Sequence, residues 1–386
     1  MTDRLYYRDS YLTEFRARVV DASPDHRRVY LDRTAFYPTS GGQPFDTGTL
    51  GGVAVSEVVD DDDGRIAHVL SAPLAETEVA GVIDWQRRFD HMQQHTGQHL
   101  LSAVLVELFD AQTVSFHLGA ESSTIDVARV LEADQIRKAE ARANAVVFEN
   151  RPVIVSFEDS STDLDLRKPT EREGVIRIIA IQDLDRSACG GTHVRAAGEI
   201  GPILIRKLDR IRGNLRIEFV CGMRAAKRAR ADYEALSAIA RTFSAPPDET
   251  PALVAAQVEK LQETEKTRRR LATELAQARG RELYSATEPG PDGIRRVVQR
   301  VATLSDELRA EAQSFTAGDK SVFLALAAEP PSILLAASKD SGVNAGELVK
   351  AAVTKAGGRG GGSATMAQGS SPSRESLEQF LGSLVL

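Results

Sequence analysis

Two short segments of the sequence carry side chains that commonly bind metal ions. His95 and His99 stand four residues apart, and Cys189 and His193 repeat that spacing later in the chain. Three imidazoles and one thiolate suit Zn²⁺, which accepts nitrogen and sulfur ligands together in a tetrahedral arrangement. One histidine pair alone is a weak signal, but the second pair strengthens it. The sequence therefore predicts one zinc ion per chain, bound by these four residues.

The two histidines are expected to lie on a helix, because residues four apart in a helix point in the same direction. An apolar stripe lies roughly opposite them and is expected to pack inward. It consists of Leu100, Leu101, Val104, Leu105 and Leu108. His91 extends the histidine series by one turn, so His91 with His95 stays open as an alternative ligand pair. The two glycines between Cys189 and His193 predict a close turn there.

These segments read H-T-G-Q-H-L-L and C-G-G-T-H, and they resemble the editing domain of alanyl-tRNA synthetases and its free-standing relatives. Residues 34–48 match the family's Ser-Gly-Gly-Gln followed by Pro-x-Asp-x-Gly, although Thr39 stands where many members have glutamate. Residues 357–362 and 366–369 are similar to the C-terminal domain of the same synthetases. The threonyl-tRNA synthetase editing domain shares only the first two motifs. The chain is therefore identified as a member of the alanyl-tRNA editing family.

The resemblance implies a free-standing editing enzyme, since no aminoacylation domain is expected before residue 34. Such an enzyme deacylates mischarged Ser-tRNA(Ala), and Gly-tRNA(Ala) is the second substrate to consider. A binding pocket for alanine rejects serine and glycine only about 100-fold, so hydrolysis of the wrong ester at a second site restores accuracy. The implied partners are the acceptor end and the elbow of tRNA(Ala), and a second copy of the chain that forms a homodimer through the C-terminal half.

The same resemblance assigns roles to residues outside the ligand set. Thr34 and Gln43 match positions near the substrate hydroxyl and the reacting end, and both are expected to take part in catalysis. Substrate binding is expected for a further set, which consists of Ser40, Gly41, Gly42, Asp46 and Arg359. An ordinary tight turn is the alternative for the two glycines. Lys350 and Lys355 are further candidates for phosphate contact.

Three other functions fit parts of the pattern. A zinc peptidase is disfavoured because Thr96 follows His95, where H-E-x-x-H would have its glutamate. A nucleobase deaminase is disfavoured because H-x-E and P-C-x-x-C are both absent. A non-catalytic tRNA-binding protein with a structural zinc stays open, because four protein ligands normally mark a closed structural site.

The composition is that of a globular protein, with 42% hydrophobic and 27% charged residues. No run approaches 18 apolar residues, so a cytoplasmic protein without membrane contact is predicted. Two cysteines, one of them in the metal motif, exclude a disulfide framework. The net charge of −7 does not itself suggest RNA. The basic residues within 206–216 and 224–230 favour either phosphate contact or a solvated helix face.

Periodicity predicts an α+β fold in four parts. Residues 1–85 alternate β-formers with turns, which predicts a small β domain with the Gly-Gly-Gln loop. Residues 86–222 mix helices and strands in the zinc-binding editing domain. Residues 223–288 predict a helical hairpin or short coiled coil with a break at 244–248, and residues 289–386 predict a C-terminal α/β domain. Its glycine-rich run is expected to be a loop, and it lacks the Lys-Ser/Thr of an ATP-binding loop. The family resemblance implies that this loop contacts tRNA and a partner domain.

Overall fold

The computed structural model describes residues 1–171 and 173–372. The chain divides into two compact units, Met1–Ile239 and Ala240–Leu386, and each is described by itself. The described residues form a mixed α+β structure with several sheets and six α-helices. The predicted α+β class is therefore confirmed, whereas the four domain boundaries stay predictions.

The first eight strands of the first unit are Asp3–Arg4 (β1), Glu14–Ala22 (β2), Arg28–Leu31 (β3), Arg33–Thr34 (β4), Gly48–Leu50 (β5), Val53–Asp60 (β6), Ile66–Leu70 (β7) and Glu78–Ile83 (β8). Six of them form a closed barrel in the order β2-β3-β7-β6-β5-β8. β1 and β4 pair outside the barrel. Alternate residues of the strands point inward, as the two-residue period of a strand requires, and they form one apolar core.

The helix Trp85–Phe109 (α1) follows the barrel directly. It begins after Asp84, whose side chain accepts the backbone N–H of Arg87 at 3.2 Å, as an N-cap residue does. It ends at Asp110, which adopts the left-handed conformation with φ of 50°. Four of the five residues of the predicted apolar stripe are buried. The exception is Leu108, which lies in the last turn and is 40% exposed.

The rest of the first unit packs two sheets and a second helix against α1. These elements are Thr113–Leu118 (β9), Ser123–Val127 (β10), Ala133–Glu149 (α2), Val153–Asp159 (β11), Val175–Ile181 (β12), Asp185–Ala188 (β13), Ile203–Ile211 (β14) and Asn214–Cys221 (β15). The sheet orders are β14-β15-β10-β9 and β11-β12-β13. Residues of α1, α2 and both sheets share one apolar core, which fixes the position of α1.

Two long helices follow, Gly222–Thr242 (α3) and Thr250–Ala286 (α4). The expected break between them is present, with Pro251 in the first turn of α4. Apolar residues of α4 at three- and four-residue spacing are exposed, in two groups that lie ten positions apart. They are Val254, Val258, Leu261, Leu271 and Leu275. Such a stripe is typical of a helix that pairs with another helix, so the hairpin or coiled coil stays a prediction.

The elements of the second unit after α4 are Arg295–Val301 (β16), Asp306–Phe315 (α5), Ser321–Ala327 (β17), Ser332–Ala337 (β18), Ala345–Lys355 (α6), Arg359–Gly362 (β19) and Met366–Ser370 (β20). The five strands form one sheet in the order β16-β17-β18-β20-β19. Every residue of β17 and β18 is buried, because α6 covers one face of the sheet and α5 the other. The second unit therefore has helices on both faces of one sheet.

The glycine-rich run of the second unit is not the loop that the sequence predicted. Its last four residues form the edge strand β19, which pairs antiparallel with β20. The glycines permit this close pairing, since a Cβ on Gly360 would lie 2.6 Å from the Cα of Gly369. Their small size therefore serves strand packing.

Candidate metal centre and the central pocket

The structure brings the four predicted ligands together. The ligand atoms of His95, His99, Cys189 and His193 all lie within 4.8 Å of one another. The Cys189 Sγ is 3.5 Å from the His95 Nε2 and 3.3 Å from the His193 Nε2. Ligand atoms of a tetrahedral zinc stand about 3.3–3.6 Å apart, given the usual Zn–N and Zn–S bond lengths. The donor set and the two sulfur–nitrogen distances therefore fit Zn²⁺.

Each of the three imidazoles has a hydrogen-bond partner on its Nδ1. The Nδ1 of His95 is 2.8 Å from the Gln43 Oε1, and that of His193 is 3.1 Å from the Thr96 Oγ1. The Nδ1 of His99 is 3.0 Å from the Asp185 Oδ2. A partner on Nδ1 orients the ring and leaves Nε2 for the metal, as in most zinc sites with histidine ligands.

Gln43 connects the barrel segment to the cysteine–histidine turn. Its Oε1 also accepts the backbone N–H of Thr192 at 3.1 Å, and its Nε2 donates to the Thr192 Oγ1 at 2.8 Å. Gly191 packs closely against the cluster, since a Cβ on Gly191 would lie 2.2 Å from the His95 Cε1. The predicted catalytic residue Gln43 thus contacts a candidate ligand, and its catalytic role stays a prediction.

Asp185 was missed by sequence reasoning. It is buried on β13, contacts His99, and accepts from the Arg167 Nε at 2.6 Å and the Ser187 Oγ at 3.0 Å. The only sequence signal is its position four residues before Cys189. Contact with His99 depends on the pairing of β13 beside α1, which no local spacing reveals.

The electrostatics of the cluster favour ligand forms for two of the residues. Burial alone would raise the pKa of the Cys189 thiol, but His95 and His193 hold it well below its usual range. Burial, followed by the neighbouring His95, lowers the pKa of His193 to about 3. A thiolate and a neutral imidazole are the forms that bind metals. Burial opposes protonation of His99, yet its hydrogen bonds to Asp185 and Cys189 raise its pKa to about 9.

A pocket of about 500 Å³, called the central pocket here, adjoins the cluster. Three of the four candidate ligands line it, namely His95, His99 and Cys189. Tyr6 and Gln98 lie in its wall, and each carries a buried polar atom without a hydrogen-bond partner among the described residues, the Tyr6 hydroxyl and the Gln98 Oε1. A buried polar atom without a partner is unusual in a folded protein.

The residues predicted from the glycine-rich segment are distributed over three environments. Ser40 and Gly41 line the central pocket. Gly42 lies beside β9, where a Cβ would be 2.9 Å from the Phe116 ring, and its φ is +80°. Asp46 is fully buried and forms an ion pair with Arg88 of α1, whose Nε lies 2.9 and 3.0 Å from the two carboxylate oxygens. Its contacts therefore support the fold rather than a pocket wall.

Thr34 is fully buried inside the barrel. Its hydroxyl is 2.8 Å from the His68 Nε2 and accepts the backbone N–H of Phe36 at 3.1 Å. Thr34 is not among the residues that line the central pocket. Arg359 lies on β19 of the second unit and is exposed.

Most of the basic residues after the cysteine–histidine turn have acidic partners. Arg206 pairs with Asp232, Lys207 with Asp209, Arg210 with Glu132, Arg216 with Asp126, Arg224 with Asp90 and Arg228 with Asp232. Their charges are partly neutralised within the protein. The structure therefore weakens the case for phosphate contact at these positions.

Comparisons with known proteins agree with the arrangement. Residues 176–218 match the family "Threonyl and Alanyl tRNA synthetase second additional domain", and residues 293–385 match the DHHA1 domain. These matches define a protein with synthetase-type editing and C-terminal domains. The chain is 33% identical to the alanyl-tRNA editing protein AlaX-L of Pyrococcus horikoshii, over 96% of this chain and 94% of that protein. The chain belongs to the alanyl-tRNA editing protein family, which confirms the resemblance.

Full-length synthetases are also similar. The alanine–tRNA ligase of Pyrococcus abyssi is 30% identical over 98% of this chain, which spans 43% of that ligase. The C-Ala domain of Aquifex aeolicus alanyl-tRNA synthetase aligns with 24% of this chain and 87% of that domain, at 22% identity and a TM-score of 0.22. Among the described residues, no helix is long and apolar enough to cross a membrane.

Proposed function

We propose that the chain is an aminoacyl-tRNA deacylase that hydrolyses mischarged Ser-tRNA(Ala) in trans, with Gly-tRNA(Ala) as a second substrate. The observation that carries this proposal is the candidate metal cluster, which opens on the central pocket through three of its four ligands. An ion enclosed by protein on every side would have a structural role, whereas access from a pocket is typical of a catalytic site. Membership of the alanyl-tRNA editing family supplies the substrate class.

One Zn²⁺ per chain would be held by the three histidines and the cysteine. When bound, such an ion supplies Lewis-acid polarisation of an ester carbonyl or acidification of a water molecule. The protein's own residues orient the ligands, since Gln43 and Asp185 fix the rings of His95 and His99. The volume of the central pocket suits a small aminoacyl ester at the end of a nucleic acid strand.

The two unpartnered polar atoms of the pocket wall are assigned to the substrate. The Gln98 Oε1 accepts a hydrogen bond from the substrate's amino group or from a ribose hydroxyl, and the Tyr6 hydroxyl donates to a substrate oxygen. Ser40 and Gly41 complete the same wall. These contacts would position the ester beside the cluster.

The second unit is proposed to bind the elbow of tRNA(Ala) and to form a homodimer. The exposed apolar stripe of α4 supports association with a second helix, and the exposed Arg359 supports contact with phosphate. The four-part domain division and a cytoplasmic location are part of this proposal.

The test is hydrolysis of Ser-tRNA(Ala) by purified protein before and after removal of metal by a chelator, followed by addition of Zn²⁺. We expect hydrolysis, its loss on chelation and its recovery with zinc. The alternative function is non-catalytic tRNA binding with a structural zinc. Tight tRNA binding without hydrolysis at any zinc concentration would favour that alternative.

A further inference from the structure

A second cavity of the first unit lies beside the N-terminal turns of α1 and α3, and we call it the Trp85 pocket. Its volume is about 840 Å³, and its lining residues all fall within 84–227. It shares no lining residue with the central pocket. Helix N-termini attract anions, because their N–H groups and the positive end of the helix dipole are exposed there.

The wall of the Trp85 pocket contains a histidine that the metal centre does not use. His91 is only 3% exposed, and its Nδ1 has no hydrogen-bond partner among the described residues. Burial, followed by the nearby charge of Arg87, lowers the pKa of His91 to about 4. A neutral imidazole presents one donor and one acceptor, which suits the edge of a nucleobase. A buried nitrogen without a partner requires an explanation, and a ligand at this wall would supply one.

The same cavity presents an aromatic surface. Trp85 is 38% exposed, and its ring lies 5.2 Å from the ring of Phe89 and 5.2 Å from that of Tyr11. Two aromatic neighbours hold the indole in place, so little side-chain entropy is lost when a ligand packs against it. A fixed aromatic face is what proteins use to stack bases of single-stranded nucleic acids.

The charges at the cavity favour an anion. Arg224 is already paired with Asp90 at 2.6 Å, and Asp84 caps α1. Two further cations line the cavity, Arg87 and Lys227, and in the described part of the chain neither is paired with a carboxylate. A phosphate group at the cavity would therefore meet unpaired positive charge.

The Trp85 pocket and the central pocket are neighbours along α1. His91 of one and His95 of the other are separated by about one helical turn, or roughly 6 Å along the axis. One nucleic acid strand that occupied both pockets would have to span this separation.

We propose that the Trp85 pocket binds a nucleotide of the unpaired 3′ strand of the substrate tRNA. The base stacks on Trp85 and hydrogen-bonds to His91, and the phosphate lies near Lys227. This rests on the proposed function, because the ester in the central pocket brings that strand to the cavity. The pocket holds the strand in register, so that the ester lies beside the candidate metal ligands.

A direct binding test is available because Trp85 is the only tryptophan of the chain. The probe is an oligoribonucleotide with the 3′-terminal sequence of tRNA(Ala) and no amino acid attached. It is titrated into the protein while tryptophan fluorescence is recorded. We expect saturable quenching, weakened several-fold by Lys227→Ala. The matched control is Lys138→Ala, which removes an exposed helical lysine that lines neither pocket. Equal quenching curves for the two variants, or tighter binding of free mononucleotides than of the oligoribonucleotide, would overturn the proposal.

The second test separates this proposal from the proposed function. Hydrolysis of Ser-tRNA(Ala) is compared with hydrolysis of the seryl ester of adenosine, which lacks the preceding nucleotides. We expect Trp85→Ala to lower kcat/KM for Ser-tRNA(Ala) by about tenfold and to leave kcat/KM for the seryl ester of adenosine unchanged. The loss should appear as a higher KM for the tRNA. If Trp85→Ala is active and the ratio of the two kcat/KM values is unchanged, nucleotide binding in the Trp85 pocket is refuted and the proposed function is not. Quenching by the oligoribonucleotide in a protein without hydrolysis would refute the proposed function and leave the nucleotide site standing.

Discussion

His91 and His99 lie on the same helix, are both almost completely buried, and differ in what surrounds them. The Nδ1 of His99 contacts Asp185, and its ring meets two other imidazoles and a thiolate. The Nδ1 of His91 has no partner among the described residues, and its ring lines a different cavity. The sequence presents the two as equivalent members of one series. Their roles are therefore decided by the neighbours that the tertiary structure supplies, and not by spacing along the helix.

The largest expected difference between the two histidines is in metal binding. His99→Ala removes one of the four ligands and is expected to abolish stoichiometric zinc binding and hydrolysis. His91→Ala is its matched control and is expected to retain one zinc per chain, because His91 lies outside the cluster. Zinc content of both purified variants is the measurement. Loss of zinc in His91→Ala with retention in His99→Ala would reverse the assignment.

The second difference concerns stability in acid. The pKa of His91 is about 4 in the folded protein and 6.5 in an unfolded chain, so unfolding takes up a proton between these pH values. Wild-type stability should therefore fall as the pH drops from about 6.5 to 4, by roughly 3 kcal/mol from this residue. His91→Phe does not take up that proton and should lose less stability over the same range.

The comparison uses metal-free protein, so that zinc release does not contribute. Free energies of unfolding of the wild type and His91→Phe are measured by urea denaturation at several pH values. Other groups, including His68, whose pKa burial also lowers to about 4, contribute equally to both proteins. Parallel pH profiles for the two proteins would contradict the assignment.

A third buried histidine, His68, tests how much a hydrogen-bond partner of a buried imidazole contributes to stability. His68 is fully buried in the barrel and hydrogen-bonds to Thr34. Thr34→Val leaves His68 and the N–H of Phe36 without this partner, so we expect a loss of stability of about 1–3 kcal/mol. Because the hydroxyl is satisfied within the barrel, hydrolysis of Ser-tRNA(Ala) and Gly-tRNA(Ala) should fall equally.

Thr49→Val, at a half-buried threonine of the barrel strand β5, is the control and should change stability less. The two rates of hydrolysis and the unfolding free energy are measured for both variants. A selective loss of Ser-tRNA(Ala) hydrolysis in Thr34→Val would instead indicate contact between Thr34 and the substrate hydroxyl.

Local patterns predicted much of the molecule. The helix with the histidines and the break at 244–248 follow from periodicity and turn residues. The closure of the barrel through β2 and β8 does not, because it joins strands that are distant in sequence. The edge strand β19 was missed for a related reason. Glycine has little strand propensity of its own, and pairing with β20 decides its conformation.

The candidate site, too, could be predicted from the sequence only in part. The four candidate ligands could be found because cysteine and histidine at metal spacing are rare and chemically specific. Gln43 was found through the family motif, but its contacts with His95 and Thr192 could not be. Asp46 was predicted to bind substrate, and its partner Arg88 was overlooked. An aspartate in a motif does not reveal whether its partner is a ligand or a buried arginine.

The smallest expected effect concerns the partner that distinguishes His99 from His91. Asp185→Asn keeps an oxygen that can contact His99 but removes the charge, so zinc affinity should fall about tenfold, at the lower end for residues that orient a metal ligand. Asp183→Asn is the matched control, because Asp183 is exposed and its left-handed backbone, with φ of 55°, accepts asparagine. Zinc affinity is measured by competition with a chelator of known strength. Equal affinities in the two variants would mean that the hydrogen bond, and not the charge of Asp185, orients His99.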